Sequence, residues 1–421
     1  MSQKIAILGA GISGQAARRL AESRGDVATV FDQSGNGDED TFSASSLDAF
    51  DCVVVSPGFG KAHPWRRTAE RSNTPCFGEL GYAARFWQGK IIAVTGTNGK
   101  STLTKFLTQA LHAAGRQAVA TGNIGYPLSD AVLSDVNGVE SFAILEVSSF
   151  QAEMPFGLKL DGLIWTNFAE DHLDRYETMA EYFSAKANLF NCLGQDGICV
   201  LNPQVSYWMN LMNCPFNACS IAYEDPLLED QLSDQSPFKH FPQSENFFLL
   251  AELWWMFELP EAALIETANS FELAPHRLRC EANYEGVAFW NDSKATNFHA
   301  TLAALTALES PVYWIGGGQI KGGDIEAFAR EVAARVTAAF VYGETGRRLV
   351  AEFEKTKRSV THHEKFEDAV RAAAAAAKGI QGANVLLSPG FSSFDQFSSY
   401  EERGKCFIST VLSLNGAQAT H

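Results

Sequence analysis

The sequence predicts an α/β protein built on parallel sheets and divided into three blocks. Short β-branched runs alternate with helical patterns along the chain, as they do where helices cover a parallel sheet. Two glycine-bearing turns, at 9–14 and 96–99, each fall between a strand and a helix in this reading. The length of 421 residues exceeds what one core ordinarily serves, so two or three domains are expected.

In the first block Lys4–Leu8 reads as a strand, Gly9–Gly14 as a turn and Gln15–Arg24 as a helix closed by Gly25. Strands follow at Val27–Phe31 and at Cys52–Val55, the latter ending at Ser56-Pro57-Gly58. The second block opens with the strand Ile91–Thr95 and a helix from Ser101. That helix sets Leu103, Phe106, Leu107, Ala110 and Leu111 on one face, at the spacing of an amphipathic helix. Further strands are read at Phe142–Val147, Leu163–Thr166 and Ile198–Leu201. The stretch Glu224–Ser236 carries five carboxylates and no lysine and is expected to be a solvated loop. Ala274-Pro275-His276 is a hinge candidate, since proline disfavours helix just before it. Beyond it, strands at Val287–Trp290, Val312–Ile315, Ala338–Tyr342 and Val385–Leu387 alternate with helices, and the six alanines between Arg371 and Lys378 are good helix. The expected domains are therefore 1–88, 89–273 and 274–421.

Composition narrows the class of function. Apolar residues make up 46% and charged residues 19%, the balance of a globular chain and not a disordered one. A formal net charge of −16 argues against coating nucleic acid or an anionic membrane. It leaves room for small phosphorylated ligands, which need only a local pocket of N–H groups, lysines or metal ions. No apolar run approaches the ~18 residues of a membrane span, and Phe247–Phe257 is interrupted by Glu252. The N-terminus runs directly into a strand, with no signal peptide expected. Eight scattered cysteines without a CxxC pair read as reduced thiols, hence a cytoplasmic protein.

Chemistry concentrates at strand ends. Gly9-Ala10-Gly11-Ile12-Ser13-Gly14 fits G-x-G-x-x-G between strand and helix, and Asp32 ends the next strand. Such glycines let backbone N–H groups approach a pyrophosphate, and the acid can accept from a ribose hydroxyl; a tight turn without a ligand is the plainer alternative. Thr95-Gly96-Thr97-Asn98-Gly99-Lys100-Ser101-Thr102 is a phosphate loop with two residues, not four, between Gly96 and Gly99-Lys100. N–H donors there would wrap a phosphate, Lys100 would reach the outer phosphates, and a hydroxyl at Ser101 or Thr102 can hold Mg²⁺. Glu146 ends an apolar strand, where an open parallel sheet presents its ligand-facing edge; capping the next turn is its other possible role. The polar run Asn167–Tyr176 is a second candidate metal or substrate edge, with His172 either a ligand or a structural histidine.

In this order, these residues resemble the Mur ligase family, ATP-dependent enzymes that form amide bonds by adding amino acids to the UDP-muramoyl precursor of peptidoglycan. The resemblance runs through Thr-Gly-Thr-Asn-Gly-Lys-Ser-Thr (95–102), Gly-Asn-Ile-Gly (122–125), Leu-Glu-Val-Ser-Ser-Phe-Gln (145–151) and Asn-Phe-Ala-Glu-Asp-His-Leu-Asp-Arg-Tyr (167–176). It continues through Tyr-Phe-Ser-Ala-Lys (182–186), Pro-His-Arg (275–277), Asn-Asp-Ser-Lys-Ala-Thr-Asn (291–297), Gly-Gly-Gly-Gln-Ile-Lys-Gly (316–322) and Ser-Pro-Gly-Phe-Ser-Ser-Phe-Asp-Gln-Phe (388–397). The last two phrases resemble the branch that adds D-glutamate to UDP-N-acetylmuramoyl-L-alanine.

The resemblance implies a three-domain α/β architecture: a Rossmann-like UDP-binding domain, a central P-loop ATPase domain and a C-terminal Rossmann-like domain. It implies that Gly11, Ile12, Ser13 and Asp32 hold uridine diphosphate and not NAD, with Asn123 near the UDP-muramoyl substrate. ATP would lie on Gly96, Thr97, Asn98, Gly99, Lys100, Ser101 and Thr102, with Asn246, Arg277 and Asp292, the last suited to the ribose. Two Mg²⁺ ions would use Ser101 or Thr102, Glu146, His172 and Lys186, the lysine carried as a carbamate. Thr296, Lys321, Ser393 and Tyr400 would hold the amino acid. The family usually has phenylalanine at the last position, so Tyr400 departs. The family's His-Asn-x-x-Asn-Ala reads Glu245-Asn246-Phe247-Phe248-Leu249-Leu250, with Leu249 where an asparagine faces adenine, and no basic residue follows Asp32. The implied chemistry is an acyl phosphate, captured by the amine as the third domain closes and excludes water. The implied partners are small molecules, with no nucleic acid, no membrane insertion, and a monomer. The competing readings are a ligase of the same family for L-glutamate or a diamino acid, and an NAD-dependent oxidoreductase.

Overall fold

The computed structural model describes residues 2–216, 219–414 and 418–419. By contacts the chain forms two bodies: 1–168, 178–239 and 243–271 make one, and 169–177, 240–242 and 272–421 the other.

The first body holds two parallel sheets. Its four-stranded sheet runs in the order Val27–Phe31, Lys4–Leu8, Cys52–Val55, Cys76–Gly78. Its six-stranded sheet runs Ser220–Ile221, Leu193–Leu201, Leu160–Trp165, Lys90–Thr95, Phe142–Glu146, Ala118–Gly122. Every residue of Phe142–Glu146 is buried, which is why that strand reads as a continuous apolar run rather than an alternating one. Lys90–Thr95 lies between Leu160–Trp165 and Phe142–Glu146, so the chain leaves its C-terminal end where connections diverge, the usual ligand crevice of an open α/β sheet. The helix Lys100–Ala113 buries Leu103, Phe106, Leu107, Ala110 and Leu111, the face its periodicity marks.

Two polar links join the two sheets' layers within this body. Buried Arg66 pairs with Glu153 and with Glu70. Buried Glu79 accepts through Oε1 from the N–H and the hydroxyl of Ser129, each at 2.7 Å. Glu224–Ser236, expected to be a solvated loop, is in part a helical turn. Asp225 caps Pro226–Glu229, and Leu228 and Leu232 are buried. Its leucines, set between the carboxylates, supply the anchor that charge counting overlooks.

The second body carries a seven-stranded sheet: Ser359–His363, Ala338–Tyr342, Val312–Gly317, Asn384–Leu387, Val287–Asn291, Arg279–Tyr284, Gln418–Ala419. The first five strands are parallel and the last two antiparallel. Separate apolar clusters, one around Phe340 and Phe366 and one around Trp314 and Phe328, make up its core. The alanine run lies in the helix Phe366–Ala377, where Ala369, Val370, Ala373 and Ala377 are buried.

Candidate active site

The phosphate loop is held from two sides. Gly99 has φ 84°, and a Cβ there would lie 2.6 Å from Oδ1 of Asn246, so glycine at 99 satisfies both backbone and neighbour. Asn246 donates to Gln243 at 2.9 Å on the helix Gln243–Met256. The N–H groups of Thr97 and Asn98 donate to Asn167, at 3.1 Å to its carbonyl and 2.8 Å to its side chain. Two amides that the sequence reading assigned to phosphate are thus spent on the protein. The helix's first turn begins at Lys100, and the N–H groups of a first turn have no acceptor within their own helix, which is why such turns take phosphates. Lys100 Nζ donates to the carbonyls of Gly96 (2.9 Å) and Thr97 (2.8 Å). Ser101 is half-buried and Thr102 buried, so Ser101 is the more accessible hydroxyl.

Glu146 is 2% exposed. Its Oε1 accepts from Asn123 Nδ2 at 2.8 Å, while Oε2 is buried with no hydrogen-bond partner among the described residues. A lone buried carboxylate oxygen at the loop's edge suits a hard cation. Among the described residues no three His, Cys, Asp or Glu side chains cluster to hold a metal. Asn123, expected at the substrate, is therefore also tied to this carboxylate.

Lys186 is 1% exposed on the helix Met179–Ala187. Its Nζ donates to Gly96 O at 2.8 Å and lies 3.5 Å from Thr95 Oγ1 and 5.0 Å from the centre of the Tyr182 ring. Tyr182 OH in turn meets Thr97 Oγ1 at 3.3 Å. Sequence reasoning noted Lys186 through the resemblance, but its burial against the loop is a tertiary fact.

At the first sheet, Gly11 precedes the helix Ile12–Ser23, and a Cβ on Gly14 would stand 1.8 Å from Gly9 O. Asp32 accepts from Ala10 N–H at 2.7 Å and from the N–H and hydroxyl of Ser34. The Ser34 and Ala10 bonds hold its carboxyl below the usual range. Asp32 thus stiffens the turn itself. Ile12 is 79% exposed and Ser13 half-buried, an open apolar surface beside helix N–H groups.

The polar run 167–176 divides between the bodies. Asn167 serves the phosphate loop, whereas 169–177 belongs to the second body. There Asp171 accepts from His172 N–H (2.9 Å) and Asn297 Nδ2 (3.2 Å), and His172 has φ 55°. Thr296 and Lys321 come together, Nζ to Oγ1 at 3.5 Å, and line a small cleft with Glu170, Asp171, Phe298 and Phe391. Ser393 is buried on the turn after Phe391. Tyr400 opens the helix Tyr400–Leu412 with Lys294 Nζ 3.9 Å over its ring; neither Ser393 nor Tyr400 is among the residues lining that cleft. Arg277 is half-buried. Asp292 accepts from Leu278 N–H (3.1 Å) and Ser388 Oγ (2.8 Å), and burial pushes its carboxyl up to about 7. A ribose contact would use the lone pairs these bonds leave. Sequence reasoning missed Asn167, Asp171 and Asn297, although the first two lie in a polar run it did flag. It also missed buried Arg403, which grips Ser293 and the carbonyl of Phe391 and is masked in sequence by charged neighbours.

A phosphate loop at a parallel sheet's ligand edge, with a buried carboxylate beside it, defines a nucleotide-dependent enzyme. The profile of the Mur ligase middle domain matches residues 94–240, and that of the Mur ligase, glutamate ligase domain, matches 276–391. The chain is 33% identical to UDP-N-acetylmuramoylalanine–D-glutamate ligase of Gloeobacter violaceus over 97% of this chain and 99% of that one. It is 32% identical to the same-named ligase of Aquifex aeolicus, over 97% and 98%. Among solved structures, UDP-N-acetylmuramate–alanine ligase MurC of Thermotoga maritima matches 98% of this chain and 99% of that one (TM-score 0.57, 16% identity). MurF of Acinetobacter baumannii matches 86% and 85% (TM-score 0.59, 14% identity), and at these identities the likeness concerns the fold. The chain belongs to the Mur ligase family and is an ATP-dependent amide-bond-forming ligase that uses Mg²⁺. An NAD-dependent oxidoreductase is thereby set aside. Among the described residues no helix is long and apolar enough to cross a membrane.

Proposed function

We propose that this ligase joins D-glutamate to UDP-N-acetylmuramoyl-L-alanine through an acyl phosphate. The observation that carries the reading is the pairing of Thr296 with Lys321 in a cleft of the second body. A cation and a hydroxyl donor suit a dicarboxylic amino acid better than a diamino acid, and the relatives named above act on D-glutamate. The alanyl carboxylate attacks the γ-phosphorus of ATP and releases ADP. The amine of D-glutamate then attacks the acyl carbon, loses a proton and expels phosphate. Lys100 and the first-turn N–H groups offset the repulsion between anionic carboxylate and triphosphate, the main obstacle to the first step. Mg²⁺, when bound, would supply further charge neutralisation at the phosphates, and Glu146 with Ser101 or Thr102 would hold it. Ile12, Ser13 and the turn braced by Asp32 take the uridine diphosphate. Arg277 and Asp292 serve the nucleotide, His172 the reacting end, and Ser393 and Tyr400 the amino acid.

Two Mg²⁺ ions and a carbamate on Lys186 complete the reading. The carbamate would form by addition of CO₂ to the amine with loss of a proton, and would give the site two further oxygens. The domains are taken as 1–88, 89–273 and 274–421, and the enzyme as a cytoplasmic monomer. ADP release with UDP-N-acetylmuramoyl-L-alanine and D-glutamate, L-glutamate or a diamino acid is the test. Turnover with D-glutamate alone is expected; preference for either alternative overturns the assignment.

A further inference from the structure

Strand Ala118–Gly122 pairs with Phe142–Glu146 so that Gly122 stands opposite Glu146. The next residue, Asn123, is thereby bound to Glu146 twice. Its backbone N–H donates to the Glu146 carbonyl at 2.9 Å, and its Nδ2 donates to Oε1 at 2.8 Å. The first bond fixes where the Asn123 side chain starts, and the second fixes where the carboxylate ends. Asn123 itself is exposed, so no packing demand explains an amide there. A buried carboxylate with no partner on either oxygen is free to take another rotamer. One donor on one oxygen holds the rotamer and aims the other oxygen, the role that neighbours of metal ligands commonly play.

We propose that Asn123 is the positioning residue of the cation site: its amide clamps Oε1 of Glu146 so that Oε2 is presented, fixed in direction, to the divalent ion that accompanies the nucleotide. The inference rests on reading Glu146 as a cation ligand. It gives Asn123 a task separate from any contact with the UDP-muramoyl substrate, because both bonds run to Glu146.

The test is calorimetric, with Mn²⁺ as the probe ion and neither acyl substrate nor amino acid present. The affinity for ADP is measured in Mn²⁺ and again in EDTA, and the ratio of the two reports the metal's share. In Asn123→Ala, and in Asn123→Leu, which keeps the bulk, the ratio is expected to shrink about 10- to 100-fold. The affinity in EDTA and the Tm are expected to stay at wild-type values. Glu146→Gln should shrink the ratio at least as far. A ratio unchanged in both folded Asn123 variants, with Glu146→Gln impaired, overturns the clamp and leaves the ligand reading intact. A ratio unchanged in Glu146→Gln overturns the ligand reading itself, and the clamp with it.

Discussion

The Nζ atoms of Lys100 and Lys186 meet at one acceptor, the carbonyl oxygen of Gly96, at 2.9 and 2.8 Å. The shared acceptor sets both side chains against the backbone of the phosphate loop. The two lysines lead to different predictions.

Lys100→Ala removes a phosphate-facing charge and no core packing. Turnover is expected to fall about 100-fold or more with Tm unchanged. Near-normal ADP release by the folded variant would remove Lys100 from the mechanism.

Lys186→Ala is expected to lose nearly all activity, and formate or acetate to restore part of it by supplying the missing oxygen ligands. Because Lys186 is buried, circular dichroism should first establish that the variant folds. Wild-type activity of Lys186→Ala in bicarbonate-depleted buffer would show that no carbamate is needed.

Glu79 gives a pH prediction. Burial raises its carboxyl to about 7, against the opposing hydrogen bonds from Ser129. An unfolded glutamate titrates near ~4.3, so between about 4.3 and 7 the folded chain binds the extra proton, and stability falls as pH rises. The contribution is fully present below ~4.3 and lost above about 7. Glu79→Gln keeps an acceptor for Ser129 without the charge. Its Tm is expected to exceed wild type at pH 8 and to approach it at pH 5. A wild-type slope in the variant would mean that other groups set the pH response.

Leu249 is 1% exposed, which recasts its departure from the family pattern. In this chain the position packs the core. Leu249→Asn is expected to cost about 1–3 kcal/mol for the buried amide, read as a lower Tm, with the ratio of kcat/KM for ATP and GTP unchanged. A shift in that ratio would place the position at the base after all.

Much of the fold is legible locally. The strand Lys4–Leu8 falls where its apolar run lies, and helix Lys100–Ala113 buries the face its period marks. Strands Cys76–Gly78 and Ser220–Ile221 are not legible, since two or three residues carry no periodicity. Strand Arg279–Tyr284 is missed because its mixed polar sequence becomes a strand only by pairing with Val287–Asn291.

The sequence by itself determined the alternation of strand and helix, both glycine turns and the acid at a strand end, because each depends on a few consecutive residues. Only the tertiary structure decided that Asn123 grips Glu146, that Lys186 is buried against Gly96, that Asn167 takes two amides of the phosphate loop, and that 169–177 joins the second body. The physical reason is register. Which side chains meet across a sheet depends on strand order and on a two-residue pleat, and neither is written in the local pattern of any one strand.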